Sequence, residues 1–310
     1  MHKKVVLGID TSNYTTSCAV CDLNGTILAN YKLLLPVKEG ERGLRQSDAV
    51  FAHIKNLQKI ASLIKDEHNE YEIILVGYSA YPRDCEGSYM PCFLVGESIA
   101  LLISALYNIE AHKFSHQMGH IKAALYSSNA QIDGDFIAFH VSGGTTEIVY
   151  VNNNDGEYKI DIIGGSDDLH FGQAIDRIGV KMGLSFPAGR YIEALAFENT
   201  KEIPKSKICV SDFNCNISGL ENLSVSLYEK TGDKALVSAF VLDFVSRTLI
   251  SLTKNLRQKY TIPIVYAGGV MSNSIIQNNL KNAFDDVYFA KPEYSSDNAA
   301  GIALLTLKKL

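Results

Sequence analysis

The sequence predicts an α/β protein built from two related domains, and three observations lead there. A strand–polar turn–strand–turn–strand pattern occupies residues 5–33 and recurs over residues 136–163. Each copy is followed by segments of helical periodicity, which implies helices packed on a sheet. Near the C-terminus a further strand runs into Gly268-Gly269 and then a helix, placing backbone N–H groups at a helix N-terminus.

In order, residues 5–10 read as a strand closed by the polar turn 11–16. Residues 17–21 are the return strand, and Asn24-Gly25 is the hairpin signal before a strand over 26–33. Val50, Ile54, Leu57, Ala61 and Ile64 alternate steps of four and three, one apolar face of a helix. Residues 71–78 follow as a parallel strand, and 94–106 as a helix apolar almost all round, hence buried. The central unit opens on strand 136–141 and breaks at Ser142-Gly143-Gly144-Thr145-Thr146. It resumes over 147–151, then turns through 153–156 into strand 158–163. Residues 172–182 and 191–197 read as helices, with Pro187 and Gly189 in the loop between them. Residues 237–249 form a long buried helix, 262–267 a strand with a helix from about 272, 285–290 a last strand and 297–307 a last helix. Without a low-complexity linker, the expected division is a lobe of 1–122, with the C-terminal helix 291–310 packing back on it, and a lobe of 123–290. A cleft is expected between them.

At 310 residues, 46% hydrophobic and 20% charged, the composition is that of a globular protein with full-sized cores. The longest apolar runs fall short of a membrane span, and the first ten residues are too soon interrupted for a signal peptide. Six scattered cysteines form no framework, which suits a reducing cytoplasm. Cys18 and Cys21 make a C-x-x-C, but within a strand their side chains face opposite ways. A net charge of −5 argues against gripping nucleic acid unaided and leaves room for a basic partner.

Candidate chemistry gathers at three places. The pair Gly143-Gly144 lets the backbone take positive φ and expose consecutive N–H groups to a phosphate, although an ordinary hairpin has the same pattern. Asp10 closes the first strand, where a carboxylate can serve a ligand or simply a turn. In His116-Gln117-Met118-Gly119-His120, residues four apart share a helical face, so both imidazoles can reach one ion; for the bare motif, two unrelated polar residues on a solvated face is the commoner reading. Asp297, in Ser295-Ser296-Asp297-Asn298, is a candidate third ligand or a helix N-cap. Gln117 and Met118 offer no glutamate base, which excludes the zinc protease motif. Two polar strand turns, one per half, with a glycine pair before a helix resemble the superfold of actin, sugar kinases and heat-shock chaperones (ASKHA). That fold is a pair of duplicated RNase H-like domains around a nucleotide.

Taken together, these residues resemble the family of tRNA N6-adenosine threonylcarbamoyltransferases, long labelled glycoproteases, over essentially the whole chain. His116-x-x-x-His120 looks like the family's metal-binding pair and Val141-Ser142-Gly143-Gly144 its substrate-binding Val-Ser-Gly-Gly. Gly172-Gln173-Ala174-Ile175-Asp176 is similar to Gly-Glu-Ala-Phe-Asp, and Phe186-Pro187-Ala188-Gly189 to Tyr-Pro-Gly-Gly. Ser218-Gly219-Leu220, Gly268-Gly269-Val270 with Asn273, and Asp297-Asn298-Ala299-Ala300 match in turn. Departures also stand out. Ser12-Asn13-Tyr14-Thr15-Thr16 replaces Ser-Cys-Asp-Glu-Thr, so two carboxylates become neutral. Thr145 replaces His or Asn, Glu147 replaces Gln, Glu221 stands where lysine is usual and Arg190 where proline is. The stretch 84–93 lacks the family's Gly-Pro-Gly-Leu.

The resemblance implies transfer of a threonylcarbamoyl group from threonylcarbamoyl-AMP to N6 of adenosine 37, beside the anticodon of ANN-decoding tRNAs, with AMP leaving and no covalent enzyme intermediate. It implies one divalent metal ion, iron (Fe2+) or zinc (Zn2+), on His116, His120 and Asp297. It also implies an adenine nucleotide on His140, Val141, Ser142, Gly143, Gly144, Asp176, Gly189 and Asn273. The expected partners are tRNA and helper proteins of the threonylcarbamoylation machinery, in a homo- or heterodimer, with no membrane. The departures keep two other readings open: a divergent paralogue carrying out carbamoyl or acyl transfer to another substrate, and a non-catalytic nucleotide-binding partner. A small-molecule kinase would leave the histidine pair unexplained.

Overall fold

The computed structural model describes residues 2–12, 14–36, 44–67, 70–154, 157–296 and 299–310. The chain forms two compact units, Met1–Ser127 with Ser296–Leu310, and Ser128–Ser295.

The first unit is a five-stranded sheet in the order β3-β2-β1-β4-β5, from β1 (Lys3–Thr11), β2 (Thr15–Asp22), β3 (Ile27–Leu34), β4 (Tyr71–Tyr81) and β5 (Glu110–Ser115). β1 pairs antiparallel with β2 and parallel with β4, and β4 pairs parallel with β5. Its helices are α1 (Gln46–Glu67), α2 (Phe93–Tyr107), α3 (His116–Ser127) and, from the end of the chain, α10 (Ala300–Leu307). Residues 5–11 are all buried because helices cover both faces of the sheet. The alternation of a strand separates the two faces. Ile9 and Thr11 lie against Gly96 of α2, whereas a Cβ on Gly8 would come 2.5 Å from Ala303 N of α10. Glycine at position 8 therefore lets α10 sit directly on the strand. The core opposite is Val5, Leu7, Ile9, Val20, Ile60 and Val76 with their neighbours.

The second unit repeats the plan. Its strands are β6 (Phe136–Val141), β7 (Thr146–Asn154), β8 (Glu157–Ser166), β9 (Cys209–Ser211), β10 (Asn214–Asn216), β11 (Ile264–Ala267) and β12 (Val287–Phe289), ordered β12-β11-β6-β7-β8-β10-β9. β6–β7–β8 form an antiparallel meander, and β11 and β12 add in parallel on the other side of β6. Read from β8, the order β8-β7-β6-β11-β12 reproduces β3-β2-β1-β4-β5 with the same strand directions. The expected duplicated α/β architecture is thus present. The helices are α4 (Phe171–Lys181), α5 (Gly189–Phe197), α6 (Ser218–Thr231), α7 (Lys234–Lys259), α8 (Ser274–Ala283) and the short α9 (Pro292–Ser295).

α7 runs through the core of this unit. By length and composition it is apolar enough to cross a membrane, yet 72% of its apolar window is buried inside the protein. That corrects the expectation that every apolar run falls short of a span. Tyr266 is wholly buried, stacked between Phe139 and Phe289 with ring centroids 4.7 and 5.0 Å away. Its hydroxyl pairs with Thr253 Oγ1 at 2.6 Å, which removes the penalty of an unsatisfied buried phenol.

Two helix faces and several boundaries differ from expectation. α2 buries only Phe93, Val95, Gly96 and Ala100 and leaves Leu94, Leu101, Leu102 and Leu106 exposed. α1 packs through Ala49, Ala52, His53, Asn56 and Ile60 while Ile54 is exposed. Each helix covers the sheet with one face only. β1 continues through Thr11 and β2 begins at Thr15, so the first polar turn is shorter than 11–16. The helix expected from about 272 starts at Ser274, after a 3-10 turn over Gly269–Ser272. Asp155 and Gly156 of the second hairpin lie outside the described residues.

Candidate active site

In the first unit, three parallel strands bring chemistry to their C-terminal ends, where α/β sheets carry their sites. β1 ends near Asp10, β4 near Ser79, and β5 runs straight into His116. Ser115 is the start signal for α3, its Oγ accepting from Met118 N at 3.2 Å, and Gln117 N donates to Pro82 O at 3.0 Å. His116 and His120 then share one helical face, with ring centroids 4.3 Å apart and their Nε2 atoms 2.9 Å apart.

Behind the pair stands Asp10, wholly buried. Its Oδ1 accepts from the Ser79 hydroxyl and lies 3.0 Å from His116 Nδ1. Its Oδ2 has no hydrogen-bond partner among the described residues. Two imidazole nitrogens, each ~2.1 Å from a shared ion, can stand about 3 Å apart, so the donor set fits a divalent metal. Asp297, the expected third ligand, lies outside the described residues, as does Asn298. Among the described residues no cluster of three His, Cys, Asp or Glu side chains converges as a metal site.

The helix pair that carries these histidines is tightly packed. A Cβ on Gly301 of α10 would fall 1.8 Å from the carbonyl oxygen of Gly119, between His116 and His120. Nearby, Thr16 Oγ1 bridges His53 Nδ1 at 2.8 Å and Asn56 Nδ2 at 3.1 Å. His53 is fully buried, and burial holds its imidazole below the usual range against the opposing Ser12 hydrogen bond and Asp10 charge. Where the family carries two carboxylates, Thr15 is buried in β2 and Tyr14 is exposed on the turn. Asn13 lies outside the described residues. The Cys18 and Cys21 thiols are buried, and burial pushes them up to about 12 and about 11, Cys21 with help from Asp22.

The second unit gathers its candidates at the ends of β6 and β11. His140 is half-buried and pairs in register with Ala267, and Val141 is buried. A Cβ on Gly268 would come 2.2 Å from Val141 O, and Gly268 has φ +99°, so this crossing requires glycine. Ser142 O accepts from Gly172 N at 3.2 Å, and a Cβ on Gly172 would lie 2.7 Å from both N and Cα of Gly143. The N-terminus of α4 is therefore pressed onto the glycine turn. Gly143 and Gly144 do not take the expected positive φ. Their lack of a side chain serves instead to leave the loop bare, since a Cβ on either would meet open space.

One turn along α4, Asp176 Oδ1 accepts from Ala188 N at 2.7 Å and so holds the loop that leads to Gly189. Burial pushes the Asp176 carboxyl above the usual range against the pull of that N–H. Asn273 Oδ1 caps α8 by accepting from Ile275 N and Ile276 N, both at 3.1 Å. Glu193 accepts from Ser274 N at 2.7 Å and from its hydroxyl at 2.6 Å, tying α5 to α8. An open hollow of about 420 Å³ lies to one side, lined by Thr146, Glu147, Gly165, Asp167, His170 and Asn214 among others.

A family model described as TsaD: tRNA N6-adenosine threonylcarbamoyltransferase matches residues 48–304. The tRNA N6-adenosine threonylcarbamoyltransferase of Streptococcus suis (strain 05ZYH33) is 28% identical over 320 residues, covering 100% of this chain and 93% of the relative. That of Streptococcus pneumoniae (strain Taiwan19F-14) is also 28% identical, with the same coverage. Among solved structures, component A of the Acidaminococcus fermentans (R)-2-hydroxyglutaryl-CoA dehydratase aligns with a TM-score of 0.59 and 15% identity over 98% of each chain. A full-length HypF in its phosphate- and nucleotide-bound form aligns with a TM-score of 0.61 and 12% identity, over 99% of this chain and 46% of its own. A ROK family protein from Streptococcus pneumoniae TIGR4 aligns with a TM-score of 0.55 and 12% identity over 98% of each chain. At such identities the solved structures speak for the fold alone, the ASKHA fold that the duplicated sheet order displays. The sequence match is what reaches further: this chain belongs to the tRNA N6-adenosine threonylcarbamoyltransferase family and is an acyl-group transferase.

Proposed function

We propose that this chain transfers a threonylcarbamoyl group from threonylcarbamoyl-AMP to N6 of the adenosine beside the anticodon in ANN-decoding tRNAs. The observation that carries the reading is the convergence of His116 and His120, Nε2 to Nε2 at 2.9 Å, in a chain of this family. The two histidines, with Asp297, would hold one divalent ion, iron or zinc. When bound, that ion supplies Lewis-acid polarisation of carbamoyl or phosphate oxygens.

The remaining steps belong to the chain's own groups. The bare turn Ser142-Gly143-Gly144 would present N–H groups to charge on the donor, and its openness supports that role. Asp176 would accept hydrogen bonds from ribose hydroxyls. Gly189 and the Asn273 amide would border the nucleotide, and His140 and Val141 would flank the turn. The N6 amine attacks the carbamoyl carbon, the new N–C bond forms, the C–O bond to phosphate breaks, AMP departs and the amine proton is released. No residue of the chain becomes acylated.

Free cysteines throughout suit a cytoplasmic enzyme. The acidic net charge suits a protein that meets tRNA with helper proteins, as one half of a homo- or heterodimer. A second reading, the same donor with a different acceptor, is favoured by Tyr14 and Thr15 standing where the family has carboxylates. Incubation with threonylcarbamoyl-AMP, helpers and unmodified tRNA separates the two. Modified adenosine supports the first reading. Intact tRNA, with the threonylcarbamoyl group recovered on a different supplied amine, supports the second.

A further inference from the structure

We infer that Asp10 is the positioning residue of the histidine pair, holding the proton on His116 Nδ1 so that the Nε2 lone pair faces His120. This rests on the reading of His116 and His120 as metal ligands, and it adds a role for a residue from a different strand.

The argument starts from burial. Asp10 is wholly removed from water, and a carboxylate so placed must be met by donors. Its two partners are the Ser79 hydroxyl and His116 Nδ1, both on Oδ1. A carboxylate oxygen that already takes the Ser79 hydroxyl is an acceptor, so the geometry assigns the N–H to the imidazole nitrogen facing it. With the hydrogen on Nδ1, the nitrogen left to ligate is Nε2, the atom that stands 2.9 Å from His120 Nε2. A carboxylate behind a ligating imidazole fixes the tautomer, sets the ring plane and raises the basicity of the other nitrogen.

The sheet explains why these three meet. β1, β4 and β5 are neighbours and parallel, so their C-terminal ends deliver Asp10, Ser79 and His116 to one edge. Ser79 is fully buried as well, and its hydroxyl steadies the Asp10 carboxyl from the strand between. Oδ2, without a partner among the described residues, leaves that carboxyl anchored through one oxygen only. Loss of either Oδ1 contact should therefore loosen the ring it holds.

The test uses the full chain, with zinc and cobalt as probes and no tRNA. Nitrogen-15 NMR of the metal-free protein reads the His116 tautomer directly, and competition titration reads metal affinity. The expected result is Nδ1–H on His116 in the wild type and a mixed tautomer in Asp10→Asn. Zinc binding should weaken about 10–100-fold in that variant, as for other outer-shell partners, with one ion still bound. Ser79→Ala should weaken binding by less, in the same direction. A wild-type His116 protonated on Nε2 overturns the inference, whether or not Asp10→Asn folds. Unchanged zinc affinity in a folded Asp10→Asn overturns it too, while leaving the histidines as ligands. A larger loss with an altered cobalt spectrum overturns it differently, by making Asp10 a ligand itself. If the wild type binds neither ion, the ligand reading fails first and takes this inference with it.

Discussion

His116 Nε2 and His120 Nε2 face each other at 2.9 Å across one turn of α3. Two such nitrogens share either a proton or a cation. Replacing either histidine by alanine should abolish zinc binding to a greater degree than the ~10–100-fold expected for an outer-shell change. The metal-free variants should also lose some thermal stability, because His120 is buried and His116 meets the buried Asp10, so the comparison is made on variants shown to be folded. Isothermal titration of zinc into each variant measures this, and wild-type affinity in both variants would make the pair an ordinary feature of a helix face.

The second prediction concerns the packing that fixes that face. In Gly301→Ala, the added methyl would meet Gly119 O at 1.8 Å, so α10 must move away from α3. Overpacking of this kind costs about 1–3 kcal/mol. Chemical denaturation should report that loss, and zinc affinity should fall with it because Gly119 lies between the two histidines. A variant with unchanged stability and unchanged affinity would mean that the two helices are not in the described contact.

In the second unit, Gly172→Ala probes the glycine turn. Its methyl would lie 2.7 Å from Gly143 N, Gly143 Cα and Ser142 O, all backbone atoms that cannot swing aside. The turn must be pushed off α4. We expect a loss of about 1–3 kcal/mol in stability and a larger proportional loss of AMP binding, measured by calorimetry. Equal AMP affinity in a folded variant would remove the Ser142–Gly144 turn from the nucleotide site.

Acid sensitivity gives a fourth. Burial raises the Asp168 carboxyl, but the N–H groups of Ile217, Ser218 and Leu169 outweigh it and bring the group down to about 2. The unfolded chain, with the usual value near ~3.9, binds more protons in between. Stability from this group is therefore full above the unfolded value and lost as pH falls through that window toward the folded one. Asp168→Asn should lower the urea midpoint at neutral pH, and Asp168→Ala should lower it further by removing every one of these contacts. The gap to wild type should close as pH falls toward the folded value. A gap that widens in acid has the wrong sign for this account.

Much of this was legible in the residues, and the exceptions have physical causes. The Asn-Gly hairpin and the β-branched runs marked the meanders of both units. The i, i+4 spacing marked the histidine pair. β5 was not legible because it is an edge strand in which only Phe114 and Ser115 are buried, so its pattern is mostly polar. α6 hid for a similar reason, burying only Leu220 and Ser224. β9 and β10 are three-residue strands, too short for any periodicity. At Gly143 and Gly144 the composition suggested unusual dihedrals, whereas the glycines serve an open loop and a close helix approach. Asp10 read as a turn residue in isolation. Its contacts to Ser79 and His116, 69 and 106 positions away, exist only through the parallel register of three strands.

The most direct measurement is modification of unmodified ANN-decoding tRNA by the full chain with threonylcarbamoyl-AMP and candidate helpers, beside His116→Ala. The account predicts threonylcarbamoyl-adenosine in the wild-type reaction and its disappearance in the variant. Modification that persists in His116→Ala would contradict the metal assignment. No modification in the wild type, with AMP and zinc still bound, would contradict tRNA as the acceptor and turn the search to another amine.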